Sequence, residues 1–370
     1  MFGPGTVAFE AAAITAAIIS IPLALVLWNH LRGNAFWRGL QRVLLMVLAQ
    51  LLAIAAIFGV VNQVNQFYVT WAELIGSVEP GTPTIVPAGD PSDGATVAPG
   101  PAATAAGGSG AAATTFTADS SGLLTAQVTG AKSGVTGQLI VWTPPGYSAT
   151  GAKLPVLLTL DGFPGNPGDT FSGLHLVSTI TSMIKAGTME PMIVVSATTN
   201  VNGDDWGCAN APTGGPQVAT WLTQDVPDIV AASFNAKAPH VHRWQVMGLS
   251  AGAACSVRLT LTSPTVFSAA ASLAGFNIPD SPILAGSDQA KKENDLRTLA
   301  AKGTAEPVAL LLAASKQDSD SASDAQKLQA AVGPNVTADL EIMETGGHNW
   351  DTWLAMTPAA LTWLAQHTEG

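Results

Sequence analysis

The chain has 370 residues, with 11% of them charged, 47% hydrophobic and a net charge of −11. That acidity speaks against nucleic acid as a partner, since such proteins concentrate Lys and Arg on one face. The mean hydropathy is positive, unusual for a chain dissolved wholly in water.

The excess hydropathy lies near the N-terminus. Residues 11–29 carry no charge, and the run from Val43 to Val61 has Gln50 as its only strongly polar residue. Each approaches the ~20 residues that a helix needs to cross a hydrocarbon core of about 30 Å. Between them stand Arg32, Arg38 and Arg42, a basic loop of the kind retained in the cytoplasm. Trp28, Phe36 and Trp37 mark one interface, and Phe67, Tyr68 and Trp71 the other. The reading is a transmembrane hairpin over residues 1–75, with spans at about 11–29 and 43–61. It makes the chain a multi-pass protein of the cell membrane whose remainder, after Trp71, is extracytoplasmic. A cleaved signal peptide would begin with basic residues, whereas Met1–Glu10 has one acid and no Lys or Arg. Neither run shows the amphipathic periodicity of a core helix.

From 76 to 122 the composition shifts to Pro, Gly, Ala, Thr and Ser. So few large apolar groups cannot offset ordering entropy, and a flexible tether is expected. Beyond it, residues 123–370 alternate short apolar runs with helix-like ones. The runs Leu139–Trp142, Leu154–Leu160, Met192–Ala197, Trp244–Met247, Ala269–Leu273 and Val308–Ala313 read as strands. Thr220–Phe234 and Ala325–Val332 read as helices. This alternation predicts an α/β fold, a mostly parallel sheet with helices on both faces. Sites in such sheets form at the carboxyl ends of strands.

Gly248-Leu249-Ser250-Ala251-Gly252 lies between a predicted strand and a plausible helix. A serine on such a turn exposes its Oγ at the top of the sheet, as a nucleophile requires. Alone, the pattern carries little in a chain with 37 glycines. A serine hydroxyl also needs a base. His348 sits in the Gly-rich loop Glu344–Asp351, just past the alternating run Ala338–Met343. His30 belongs to the membrane loop, His367 to the C-terminus, and His175 to a predicted helix. His240 and His242 precede the nucleophile strand at its opposite end; with no third ligand nearby, they do not read as a metal site. The orienting acid is sought past the strand Val308–Ala314, where Asp318 is preferred over Asp320 and Asp324. Two backbone donors complete the set. One is the N–H of Ala251, and the other that of Phe163, with Gly162 as alternate, in the loop after Leu154–Leu160. Cys208 and Cys255 are either a pair or two buried thiols.

Four segments together carry a resemblance: Leu160-Asp161-Gly162-Phe163, Trp221 to Pro227, Gly248 to Gly252 with Cys255, and Gly346 to Trp350. They look like the esterase family that includes esterase D-like enzymes and the antigen 85 mycolyltransferases. The resemblance covers about Leu123 to Leu364 and does not extend to the first 120 residues. It implies an α/β-hydrolase fold, an acyl-enzyme mechanism and no cofactor. Its nucleophile falls on Ser250, its base on His348, its oxyanion donors on Phe163 and Ala251, and its acid on the loop holding Asp318. It also implies a Cys208–Cys255 disulfide, as in membrane-anchored actinobacterial members. The expected function is hydrolysis of a small-molecule or lipid ester. The alternatives are acyl transfer to a sugar hydroxyl in the cell envelope, or an inactive envelope-binding domain.

Overall fold

The computed structural model describes residues 3–76, 84–86, 113–278 and 281–368, apart from 213, 282 and 285. Most of the expected tether, 87–112 included, lies outside the described residues. The chain divides into two compact units. One is Met1–Gly81 with Thr345–Thr352, and the other is Thr82–Glu344 with Trp353–Gly370.

In the first unit two polar caps decide where the long helices start. Thr6 accepts the Phe9 N–H and opens α1 (Val7–Trp28); Asn34 accepts the Trp37 N–H at 3.0 Å and opens α2 (Ala35–Asn65). The cap at Asn34 starts the second helix eight residues before the apolar run does. Arg38 and Arg42 therefore stand in its first turns rather than in the loop, with the Arg42 guanidinium 4.8 Å from the Trp28 ring centroid. At 1.5 Å per residue, α1 is about 33 Å long and α2 about 46 Å, so each is long enough to cross a hydrocarbon core. Their large side chains point outward: Ile18, Leu25, Ile57 and Val64 are each more than 60% exposed. A short helix, α3 (Trp71–Leu74), follows.

The second unit is built on a ten-stranded sheet. Its strands are β1 (Thr84–Val86), β2 (Thr117–Ala118), β3 (Leu124–Thr129), β4 (Thr136–Trp142), β5 (Val156–Leu160), β6 (Ile193–Ala197), β7 (Trp244–Leu249), β8 (Phe267–Leu273), β9 (Val308–Ser315) and β10 (Val336–Met343). They lie in the order β1-β10-β9-β8-β7-β5-β6-β4-β3-β2. The six central strands, β10 to β6, pair in parallel, and the remaining pairs are antiparallel. The helices are α4 (Pro167–Gly173), α5 (Leu176–Ala186), α6 (Val218–Thr220), α7 (Val226–Ser233), α8 (Ala251–Thr262), α9 (Asp288–Asn294), α10 (Leu296–Ala301), α11 (Ser319–Gln329) and α12 (Trp350–Gln366).

The apolar runs of β5, β6, β7 and β8 are buried along their whole length. Alternate residues feed opposite faces: Val156, Leu158 and Leu160 enter one core cluster and Leu157 the other. Such runs are expected of strands covered on both sides. Strands β2 and β3 were not legible as strands, because Thr117, Thr125, Gln127 and Thr129 are polar positions at a solvated edge. Both β1 and β2 fall inside the stretch expected to be tether. Each is only two or three residues long and joins the sheet through its ladder with one neighbour, too short a run to stand out in a Pro-, Gly- and Thr-rich stretch.

The predicted helix Thr220–Phe234 is interrupted by a π turn at Trp221–Asp225. Pro227 has no N–H for the carbonyl four residues back, so the ladder slips by one residue there. The slip aims the buried Asp225 carboxylate at the β3–β4 turn, where it accepts the Lys132 and Ser133 N–H groups at 2.9 and 2.8 Å.

Candidate active site

Strand β7 delivers Ser250 to the sheet's upper edge and α8 leads away from it. Ser250 stands at φ 54°, ψ −118°, a conformation that costs a residue with a Cβ about 1–3 kcal/mol. Its N–H donates to Leu273 O at 3.0 Å, and its carbonyl accepts the Ala253 and Ala254 N–H groups at 3.0 and 3.2 Å. The flanking glycines make the turn sterically feasible. A methyl group on Gly248 would stand 2.0 Å from Gly252 O, and one on Gly252 would stand 2.3 Å from Leu160 O. The pentapeptide is thus a device for bringing helix, nucleophile strand and β5 into backbone contact. The first N–H groups of α8, that of Ala251 among them, have no partner within the helix and lie at its positive end.

The loop after β5 rests on this turn. A methyl group on Gly162 would lie 3.2 Å from Ser250 Cβ, so the loop backbone passes directly over Ser250. Asn200, just past β6, holds the loop from behind: its Nδ2 donates to Gly162 O at 3.0 Å and to Gly165 O at 2.9 Å. Phe163 follows, with its side chain 46% exposed. Gly162 and Ser250 are therefore in contact, with Phe163 and Ala251 their neighbours in the chain. Asn200 was missed, because its only sequence signal is a position past a buried strand.

Asp161 lies beneath the same loop. It is 3% exposed. Burial, reinforced by the Asp169 carboxylate and opposed by the Thr170 N–H, pushes it up to about 8. At neutral pH this carboxyl is accordingly mostly protonated, which limits the negative charge beneath the loop.

The three candidate acids separate clearly. Asp318, between β9 and α11, is 3% exposed. Asp320 is exposed in the first turn of α11. Asp324 is already engaged: Oδ2 accepts the Asn277 N–H at 2.8 Å, and Oδ1 lies 3.5 Å from Lys327 Nζ. His348 follows β10 on the segment Thr345–Thr352, which folds with the N-terminal hairpin. Its N–H donates to Gln66 O at 3.0 Å. Of the other histidines, His242 is buried with its ring 3.1 Å from Arg243 O. His175 is not inside a helix as expected; it is the left-handed residue, φ 50°, that precedes α5.

Cys208 and Cys255 form a disulfide, with Cα atoms 5.4 Å apart. It pins the loop after β6 to the second turn of α8. Beside it, Gly207, Ala251, Ala254, Arg258, Phe276 and Leu284 line a small cleft.

Residues 134–364 match the family described as "Putative esterase". No curated protein matches the chain. An S-formylglutathione hydrolase from Agrobacterium tumefaciens superposes with a TM-score of 0.56 at 18% identity, over 67% of this chain and 95% of that one. A ferulic acid esterase gives 0.52 at 17% identity, over 66% and 97%. The fluorophosphonate-binding serine hydrolase F of Staphylococcus aureus gives 0.50 at 16% identity, over 66% and 98%. At these identities the likeness is one of fold. With the family match spanning more than half its length, the chain belongs to the Putative esterase family, as a hydrolase or acyltransferase of the α/β-hydrolase fold.

Proposed function

We propose that this chain is a membrane-anchored serine esterase that works outside the cytoplasm through an acyl-enzyme. The observation that carries the reading is Ser250 itself, held at positive φ on a strand-to-helix turn under the Gly162 backbone. Ser250 Oγ attacks the ester carbonyl carbon while His348 takes its proton. The N–H groups of Phe163 and Ala251 receive the oxyanion. His348 then gives the proton to the departing alcohol, and water, deprotonated by the same imidazole, releases the acid. Asp318 orients His348; its burial at the end of β9 favours it over Asp320 and Asp324. The anchoring is supported by two apolar helices of membrane-spanning length whose side chains face outward, an arrangement that water disfavours.

The test is labelling of the full-length protein by a fluorophosphonate probe, alongside hydrolysis of nitrophenyl esters of increasing acyl length. Both should vanish in Ser250→Ala. Undiminished labelling in that variant would refute the assignment. Adding a sugar acceptor during turnover separates the chemistries, because a transferase forms a new sugar ester and a hydrolase only the free acid.

A further inference from the structure

Gly346 and Gly347 precede His348 and offer no side chains with which to fix its loop. Fixation comes from the turn that closes the N-terminal hairpin. The Gly347 N–H donates to Glu73 Oε1 at 2.6 Å, and Asn349 Nδ2 to the same oxygen at 2.9 Å. Asn349 Nδ2 also donates to Phe67 O at 2.6 Å, and the His348 N–H to Gln66 O at 3.0 Å. Three consecutive residues centred on the histidine are thus bonded to residues 66–73. The approach is close enough that a methyl group on Gly347 would stand 2.4 Å from Phe67 O.

The turn is built to receive them. Asn62, 1% exposed, bonds Tyr68 through both its N–H and its carbonyl, each at 2.8 Å. Gln66 is left-handed, φ 53°, which turns its carbonyl out of the helix. Glu73 Oε2 accepts the Val69 N–H at 2.7 Å, and Thr70 Oγ1 accepts the Glu73 N–H at 3.1 Å. The Trp71 ring packs edge-on against Phe9 of α1, with centroids 5.0 Å apart. One carboxylate oxygen of Glu73 therefore belongs to the hairpin's own turn and the other to the histidine loop. No tether needs such a bridge. An anchor only has to hold the enzyme at the surface, and a flexible one does so without touching the site.

We propose that the hairpin's exit turn holds the catalytic histidine loop, with Glu73 as a positioning residue for His348, so that the membrane anchor is a working part of the enzyme. The proposal rests on the reading of His348 as the base. Small misplacements of a catalytic group cost up to about 100-fold in rate. In the full-length protein in detergent micelles, Glu73→Ala is therefore expected to lower kcat for nitrophenyl ester hydrolysis by about 10- to 100-fold, with KM within about twofold. Glu73→Gln keeps an oxygen that accepts from Gly347 and Asn349 but loses the acceptor for the Val69 N–H, so its kcat should rise well above that of Glu73→Ala without fully reaching the parent's. A merely structural role would not produce that split or that rescue. If Glu73→Ala does not fold, Asn349→Ala reads the same bridge and should lower kcat by about tenfold at unchanged KM. Wild-type kcat in whichever of these variants folds, with His348→Ala inactive, overturns the proposal and leaves the base assignment standing. An active His348→Ala overturns both.

Discussion

At Ser250 and Gly162 a fraction of an ångström separates working from blocked geometry. Gly162→Ala would place a methyl group 3.1 Å from Leu249 Cδ1 and 3.2 Å from Ser250 Cβ, closer than such carbons rest. Asn200→Ala, by contrast, leaves space but removes both bonds to the loop. It is expected to lower kcat about tenfold, since a displaced donor loses strength where charge develops. A melting curve close to wild type would show that the effect is local. Two buried carboxyls make a second prediction. Burial pushes both Asp161 and Glu341 up to about 8, from ordinary values of 3.8 and 4.5. The folded state therefore holds protons that the unfolded chain has released between about pH 4 and 8. Stability falls as pH rises through that window, by up to roughly 1.4 kcal/mol per pH unit for each group. Urea midpoints at pH 5 and 8 test this: Glu341→Gln should narrow the gap between them, and an unchanged gap would refute it.

Among the elements, α7, α8 and the loops beside them are fastened by a few long-range bonds. Asp225 accepts two backbone N–H groups from a turn more than ninety residues earlier. Asp225→Ala removes two charge-assisted bonds to backbone N–H groups and should cost about 3 kcal/mol, read as a lowered urea midpoint with unchanged slope. The Cys208–Cys255 bond closes a loop with a sequence separation of 47, which on chain-entropy grounds is worth about 4 kcal/mol. Replacing both cysteines by serine should lower the melting temperature; an unchanged one would mean that the loop is held by its packing instead. The parallel core strands were legible because burial on both faces leaves near-continuous apolar runs. The slip at Pro227 was missed, although a proline in the middle of the predicted helix Thr220–Phe234 is itself the sign of a broken ladder. The cap at Asn34 was also missed, because it lies outside the apolar stretch that marks the span.

For the whole molecule, the proposed anchor makes a prediction about topology. Arg32, Arg38 and Arg42 lie at or near one end of it and the turn bearing Gln66 to Glu73 at the other. A reporter fused at Gly33 should therefore read cytoplasmic and one fused after Gly110 external; the reverse pattern would sink the topology. The sequence by itself determined what depends on near neighbours. This comprises the glycine-flanked serine turn, the apolar core strands, the length of the two apolar helices and the chain order of serine, acid and histidine. Tertiary structure alone decided that Asn200 bonds the loop after β5, that Asp161 is buried, and that Glu73 bonds a glycine 274 residues away. The reason is physical. Steric demands and hydrophobic periodicity are written in adjacent residues, whereas a carboxylate acquires its partners, and its charge state, only when distant segments close around it.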